Sequence, residues 1–203
     1  MNPLEQIIEF LKQTDELSTA RQLLKTFNKY SNSIDQYDII ARLFNDVKAY
    51  PEAIEAAEKT LALSANPQQL YSSRANLAKL YNHNNEPYKA LNYINANLSI
   101  NPNDYEALME KVFSLYLQAD FDQSKQLTIQ LLNDPNTPDN IRERCKFNYG
   151  SYLLDEDKFQ EGLQHFIGTG HGQIQIWKSV EFPGPTWEGD IVQGKNIAME
   201  QNV

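Results

Sequence analysis

The stretch from Tyr71 to Asp104, YSSRANLAKLYNHNNEPYKALNYINANLSINPND, constrains this chain more than any other. Its 34 residues hold two amphipathic helical patterns, a polar turn between them and a stop at Pro102. Leu77, Ala78 and Tyr81 fall on one face of the first helix, and Ala90 and Ile94 on one face of the second. Ala78 and Ala90 are small, which lets the two backbones approach, while the larger residues fill the space above and below. A unit of this size cannot bury its apolar face by itself, so units of the same kind should flank it.

With Ala90 as the marker of the second helix, equivalents stand at Ala20, Ala53, Ser124 and Gly162, at spacings of 33, 37, 34 and 38. The irregularities fall in polar connections, where insertions are tolerated. In the first pair Ile7, Ile8 and Leu11 line one face, followed by Ala20, Leu23, Leu24 and Phe27. The second pair starts near Ser33 or Asp35, with Ala41 as the small residue and Phe44 as its bulky partner, and Pro51 opens its second helix. Asn66-Pro67 punctuates before the central unit. Ala41-Arg42-Leu43-Phe44-Asn45 echoes Ala78-Lys79-Leu80-Tyr81-Asn82 in chemistry at all five places. The fourth pair fits less well, because Lys111 and Val112 stand where Leu and a small residue are usual. A loop at 133–140 with two prolines precedes a fifth pair carrying Gly150, Leu153, Phe159, Gly162 and Phe166.

At 203 residues, 41% hydrophobic and 22% charged, the composition is globular, and no apolar run nears the 18 or so residues of a membrane span. The N-terminus lacks the basic stretch of a secretory signal, so a cytoplasmic setting is the expectation. A net charge of −9 argues against nucleic acid as the main partner, since binding to phosphates needs clustered Lys and Arg. Basic or neutral peptides suit it better, although acidity also serves solubility. Cys145 has no second thiol to pair with and reads as a helix core residue. His83, His165 and His171 lack partners at metal-ligand spacing. The glycine cluster Gly168, Gly170 and Gly172 lacks the strand and helix that would make it a phosphate loop. No nucleophile with a plausible base is visible, so no enzyme activity, metal or cofactor is expected.

From Pro3 to Phe166 these residues resemble the tetratricopeptide-repeat family, whose pattern W-x2-L-G-x2-Y, A-x3-F and P is met by Leu77, Ala78, Tyr81, Ala90, Ile94 and Pro102, with Arg74 in place of the Trp. The resemblance implies an all-α, right-handed solenoid of about five helix pairs over residues 1–168, presenting a concave groove to a protein or peptide ligand. In that family the polar positions of the first helices face the groove. Carried over, these are Asp38, Arg42 and Asn45; Ala75, Lys79 and Asn82; Met109, Phe113 and Tyr116; and Phe147. Arg42 with Asn45, and Lys79 with Asn82, each lie three residues apart on one helix face. The two pairs resemble half of the carboxylate clamp of some family members, or are ordinary surface groups. Phe113 and Tyr116 stand where further basic residues would complete the clamp, giving a groove basic at one end and aromatic at the other.

Residues 169–203 form a tail of different character. Its QIQIW and KNIAMEQNV segments are strand candidates, and FPGPTWEGD is rich in turn residues. Pro185, Trp187, Gly189, Gly194, Lys195, Glu200 and Gln201 resemble the linker and first strand that follow the helical array in bacterial repeat-linked glycosyltransferases. Alternatively, Trp177, Phe182 and Trp187 cap the last helices, and any strand pairing is local or with a second molecule. The chain therefore reads first as a non-catalytic protein-binding scaffold without nucleic-acid or membrane partners. The second reading is the acceptor-recognition portion of a glycosyltransferase system.

Overall fold

The computed structural model describes residues 3–14 and 16–167, and ten α-helices account for most of them. In order these are α1 (Pro3–Gln13), α2 (Leu17–Tyr30), α3 (Ile34–Asp46), α4 (Tyr50–Leu63), α5 (Pro67–His83), α6 (Pro87–Leu98), α7 (Tyr105–Leu117), α8 (Phe121–Asn133), α9 (Asp139–Asp155) and α10 (Phe159–Ile167). No strand occurs among the described residues. The chain divides into two compact units, residues 1–127 and 128–203. The strand candidates and the capping rings of the tail lie outside the described residues.

Local chemistry sets the helix starts. Ser33 accepts a hydrogen bond from the Gln36 amide, and the Gln36 side chain accepts one from the Asn32 amide at 2.9 Å. Asn66 and Gln69 repeat the device at the start of α5, with Asn66 Oδ1 accepting from Gln69 N and Gln69 Oε1 accepting from Ala65 N. Both satisfy amides that the first helical turn leaves unpaired. Asn66 and Pro67 thus open α5 four residues before Tyr71. Proline presets the helical φ and lacks the amide that would be orphaned there.

The turn inside each helix pair has one repeated geometry. Ala49 N donates to Phe44 O, Glu86 N to Tyr81 O, Asp120 N to Leu115 O and Lys158 N to Leu153 O, at 2.8 to 3.0 Å. The residue before each donor is left-handed: Lys48 (φ 55°), Asn85 (58°), Ala119 (59°) and Asp157 (60°). This is the Schellman way of ending a helix, usually built on glycine. The first pair makes the same long bond, from Glu16 N to Leu11 O. Its five occurrences follow the register read from Ala20, Ala53, Ala90, Ser124 and Gly162, each of which stands four residues after the donor, as the fourth residue of its second helix.

In the first unit each helix from α1 to α7 packs on the next, and α5 also meets α7. Ile8, Leu24, Phe44, Leu77 and Ile94 are fully buried along this stack. Each such side chain contributes about 1.5–3 kcal/mol relative to exposure. The small pairs sit where expected: Ala41, Ala53, Ala78 and Ala90 are all buried. Val112, the misfit of the fourth pair, is also buried, and the Ser124 hydroxyl donates to its carbonyl at 2.7 Å. A polar bond there takes the place of a second small residue. Lys111 reaches sideways to Asn95 Oδ1 at 3.3 Å.

In the second unit α9 packs on α10. A Cβ placed on Gly162 would meet the Leu154 side chain at 2.8 Å and the Gly150 carbonyl oxygen at 3.0 Å, so any larger residue forces a shift at this crossing. The Arg142 guanidinium holds the preceding loop by donating to the carbonyls of Leu132, Asp134 and Thr137 at 2.6 to 3.1 Å.

Two tyrosines tie the central pairs of the first unit together. The Tyr71 hydroxyl donates to the Asp104 carboxylate, and burial, followed by the bond to Asp104 and its charge, pushes the phenol up to about 12. Tyr81 donates to Glu58 at 2.7 Å, stacks on Tyr93 at 5.8 Å and carries Lys89 over its ring. Burial, and then Glu58, raises its pKa as well.

Substituting Ala119→Gly should stabilise the first unit by about 1 kcal/mol in urea unfolding, because it relieves a left-handed alanine. Gly162→Ala should destabilise by about 1–3 kcal/mol through overpacking against α9, and a neutral result would mean that α10 moves freely away. A free phenol titrates near pH 10. With folded values raised, the tyrosine contribution is complete below about pH 10 and is lost as pH climbs through the folded value. Stability should therefore fall on the alkaline side. The double variant Tyr71→Phe, Tyr81→Phe should make that fall shallower, and an unchanged slope would contradict the assignment.

Candidate functional site

The candidate surface is built from the first helices of the pairs, α1, α3, α5 and α7, within the first unit. The repeat register places equivalent residues in three rows across them: Glu5, Asp38, Ala75 and Met109; Glu9, Arg42, Lys79 and Phe113; Lys12, Asn45, Asn82 and Tyr116. Glu5, Glu9 and Lys12 belong to these rows but were not among the residues singled out from the sequence. The offset of 33 that relates Ala20 to Ala53 would have found them.

Polar groups bond from one first helix to the next. Arg42 pairs with Glu5, Asn76 Nδ2 donates to Asp38 at 3.1 Å, and His83 Nδ1 lies 2.9 Å from Asn45 Oδ1. Exposed pairs of this kind add only about 0–1 kcal/mol each. Their effect is to fix neighbouring helices in register. Lys12 donates to Glu9 at 3.0 Å, and that hydrogen bond holds the Glu9 carboxyl below its ordinary range.

The side chains expected on this face divide into three groups. Asp38, Arg42, Lys79, Phe113 and Tyr116 are exposed, and Ala75 and Asn45 are half-buried. Asn82 and Met109 are buried instead, at 2% and 3% exposure. The Asn82 amide donates to Glu110 and accepts from the Ser114 hydroxyl at 2.8 Å, so it joins α5 to α7. The helix phase alone could not reveal that α5 and α7 come close enough to bury these two. Phe147, half-buried, stands in the second unit. The clamp-like pairing accordingly changes character: the Arg42 guanidinium is engaged by Glu5, and Asn82 has turned inward. Lys79 remains as an exposed cation. Tyr116 meets Phe121 edge-on at 5.3 Å between ring centres, forming with Phe113 an exposed aromatic group.

A small cavity of about 50 Å³ lies beside Ala75 and Lys79. Its floor is the buried set Ala78, Ile94, Asn97 and Ala107, and Lys79 and Glu106 at its rim are exposed. A shallow cleft of about 480 Å³, lined by Asn85, Tyr88, Lys89 and Leu117 among others, involves none of the three rows.

Among the described residues, no group of three or more His, Cys, Asp and Glu side chains is placed to hold a metal ion. Cys145 is buried, and burial pushes its thiol up to about 11, far from the range of a reactive thiolate. No described helix is long and apolar enough to cross a membrane.

No protein-family model matches the chain. A curated relative, the nisin biosynthesis sensor protein NisK of Lactococcus lactis subsp. lactis, is 24% identical over 171 residues. The match takes in 80% of this chain and about a third of the relative's length, at 35%. Among solved structures, the tetratricopeptide-like repeats of a Podosopora anserina kinesin light chain superpose with a TM-score of 0.57 at 14% identity, covering 86% of this chain and 95% of that one. YrrB, described as a tetratricopeptide-repeat protein with an unusual peptide-binding site, gives 0.52 at 17% identity, covering 88% and 91%. A MamA double mutant, RS-1 ArsTM, gives 0.54 at 12% identity, covering 88% and 96%. These comparisons lend no support to the glycosyltransferase resemblance of the tail. What they share with this chain is architecture: its helix pairs have the fold of the tetratricopeptide-repeat solenoids.

Proposed function

We propose that the chain is a non-catalytic, cytoplasmic scaffold whose repeat region, residues 1–168, binds a protein or peptide segment along the first-helix face. The observation that carries this reading is the exposure of Phe113 and Tyr116, at 40% and 46%, Phe113 in the same row as the cations Arg42 and Lys79 and Tyr116 in the next. Buried aromatics at these places would serve packing. Exposed ones beside a cation offer both stacking area and charge to a ligand, the combination found in binding hot spots. The fold supports the reading, since a face made of parallel first helices presents side chains at regular intervals to an extended or helical segment. The peptide-binding site named for YrrB is consistent with it.

The test uses the full chain as bait for a displayed random-peptide library, with the selected peptides then measured by fluorescence anisotropy. The triple variant Lys79→Glu, Phe113→Ser, Tyr116→Ser should weaken the selected peptides at least tenfold, about 1.4 kcal/mol, while circular dichroism melting stays unchanged. Peptides that bind the variant as well as the parent would place the binding surface elsewhere.

A further inference from the structure

We infer that the small cavity between α5, α6 and α7 is an anchor pocket for a lysine side chain of a bound peptide. The inference rests on the first-helix face being the binding surface. It begins from Asn97, which is 1% exposed and lines the cavity. Its Nδ2 donates to the Tyr71 carbonyl at 2.9 Å, while its buried Oδ1 has no hydrogen-bond partner among the described residues. An acceptor left unpaired in a protein interior is costly, so the unpaired oxygen of a residue that lines a cavity calls for a donor.

The surrounding charge selects which donor. Three carboxylates line the same cavity, those of Asp104, Glu106 and Glu110, against one ammonium, Lys79. Asp104 accepts from the Ala107 amide and the Tyr71 hydroxyl, and Glu110 accepts from Asn82. The surplus of negative charge favours a cation over a neutral hydroxyl or amide. Ala78, Ile94 and Ala107 make the buried floor apolar, which suits the methylene stem of a long side chain. A lysine ammonium brings three donors on such a stem, and its compact head fits a space of about 50 Å³ better than a planar guanidinium does. The net charge of −9 also suits a basic ligand. The aromatic group on α7 would then hold the flanking residues of the peptide.

The experiment follows amide and side-chain resonances of the ¹⁵N-labelled full chain while N-acetyl-lysine methylamide is added at millimolar concentrations. N-acetyl-norleucine methylamide, which keeps the stem and lacks the charge, is the control. Saturable shifts of the Asn97 side-chain amide and the Ala107 amide with the lysine probe alone, lost in Glu106→Gln and in Glu106→Gln, Glu110→Gln, are expected. Glu106 is exposed, so its single variant remains informative even if the double variant unfolds. Equal shifts with norleucine, shifts that persist in Glu106→Gln, or a long-lived water at Asn97 with no response to lysine would each overturn the pocket. Library peptides that bind the first-helix face without lysine would also overturn it while leaving the scaffold reading intact. Lysine shifts combined with peptides indifferent to the triple variant would instead fail the scaffold reading.

Discussion

How closely the two helices of a pair can cross governs the rest of the molecule, because the turn, the core and the face of first helices all inherit their register from that crossing. At the second and third pairs the closeness is set by alanine on alanine, all four side chains being buried. The fifth uses glycine, where a Cβ would press on the Leu154 side chain and crowd the Gly150 carbonyl. The fourth reaches the same end with a buried valine and a serine that bonds to its carbonyl. Interiors are packed as densely as molecular crystals, so a methyl group at such a crossing displaces a helix.

Once a crossing is fixed, the short turn has little freedom. A helix must end, release one left-handed residue and begin again within three positions. The backbone bonds do this identically at four turns on lysine, asparagine, alanine and aspartate, none of them glycine. Tertiary packing therefore outweighs the steric preference of those residues, and the left-handed strain is carried by the burial on either side.

Neighbouring pairs are held in two ways that differ in consequence. Between α1, α3 and α5 the exposed links are side-chain pairs such as Arg42 with Glu5 and Asn76 with Asp38. Between α5 and α7 the link is buried, an Asn82 amide shared by Glu110 and Ser114. The buried link draws α7 in, hides Met109 and leaves Asn97 at the wall of a small acidic cavity. The same contact that stabilises the stack thus shapes the feature best suited to recognise a cationic side chain.

The sequence by itself determined the fold class and the register of all five pairs, because spacing of small residues and helical periodicity are local and repeated, and each repeat corroborates the next. Helical phase also puts Asp38, Arg42, Lys79, Phe113 and Tyr116 on the side of their helices that is exposed. Tertiary structure decided what each of them meets. Nothing in the spacing says that Arg42 would find Glu5 from a helix 37 residues earlier, or that Asn82 would turn inward to α7. Those outcomes depend on the distance and angle between neighbouring first helices, which are set by packing of whole pairs. The unpaired Asn97 oxygen is the extreme case: in sequence it is one more polar residue near the end of a helix, and only the closing of three helices around it makes it a buried acceptor.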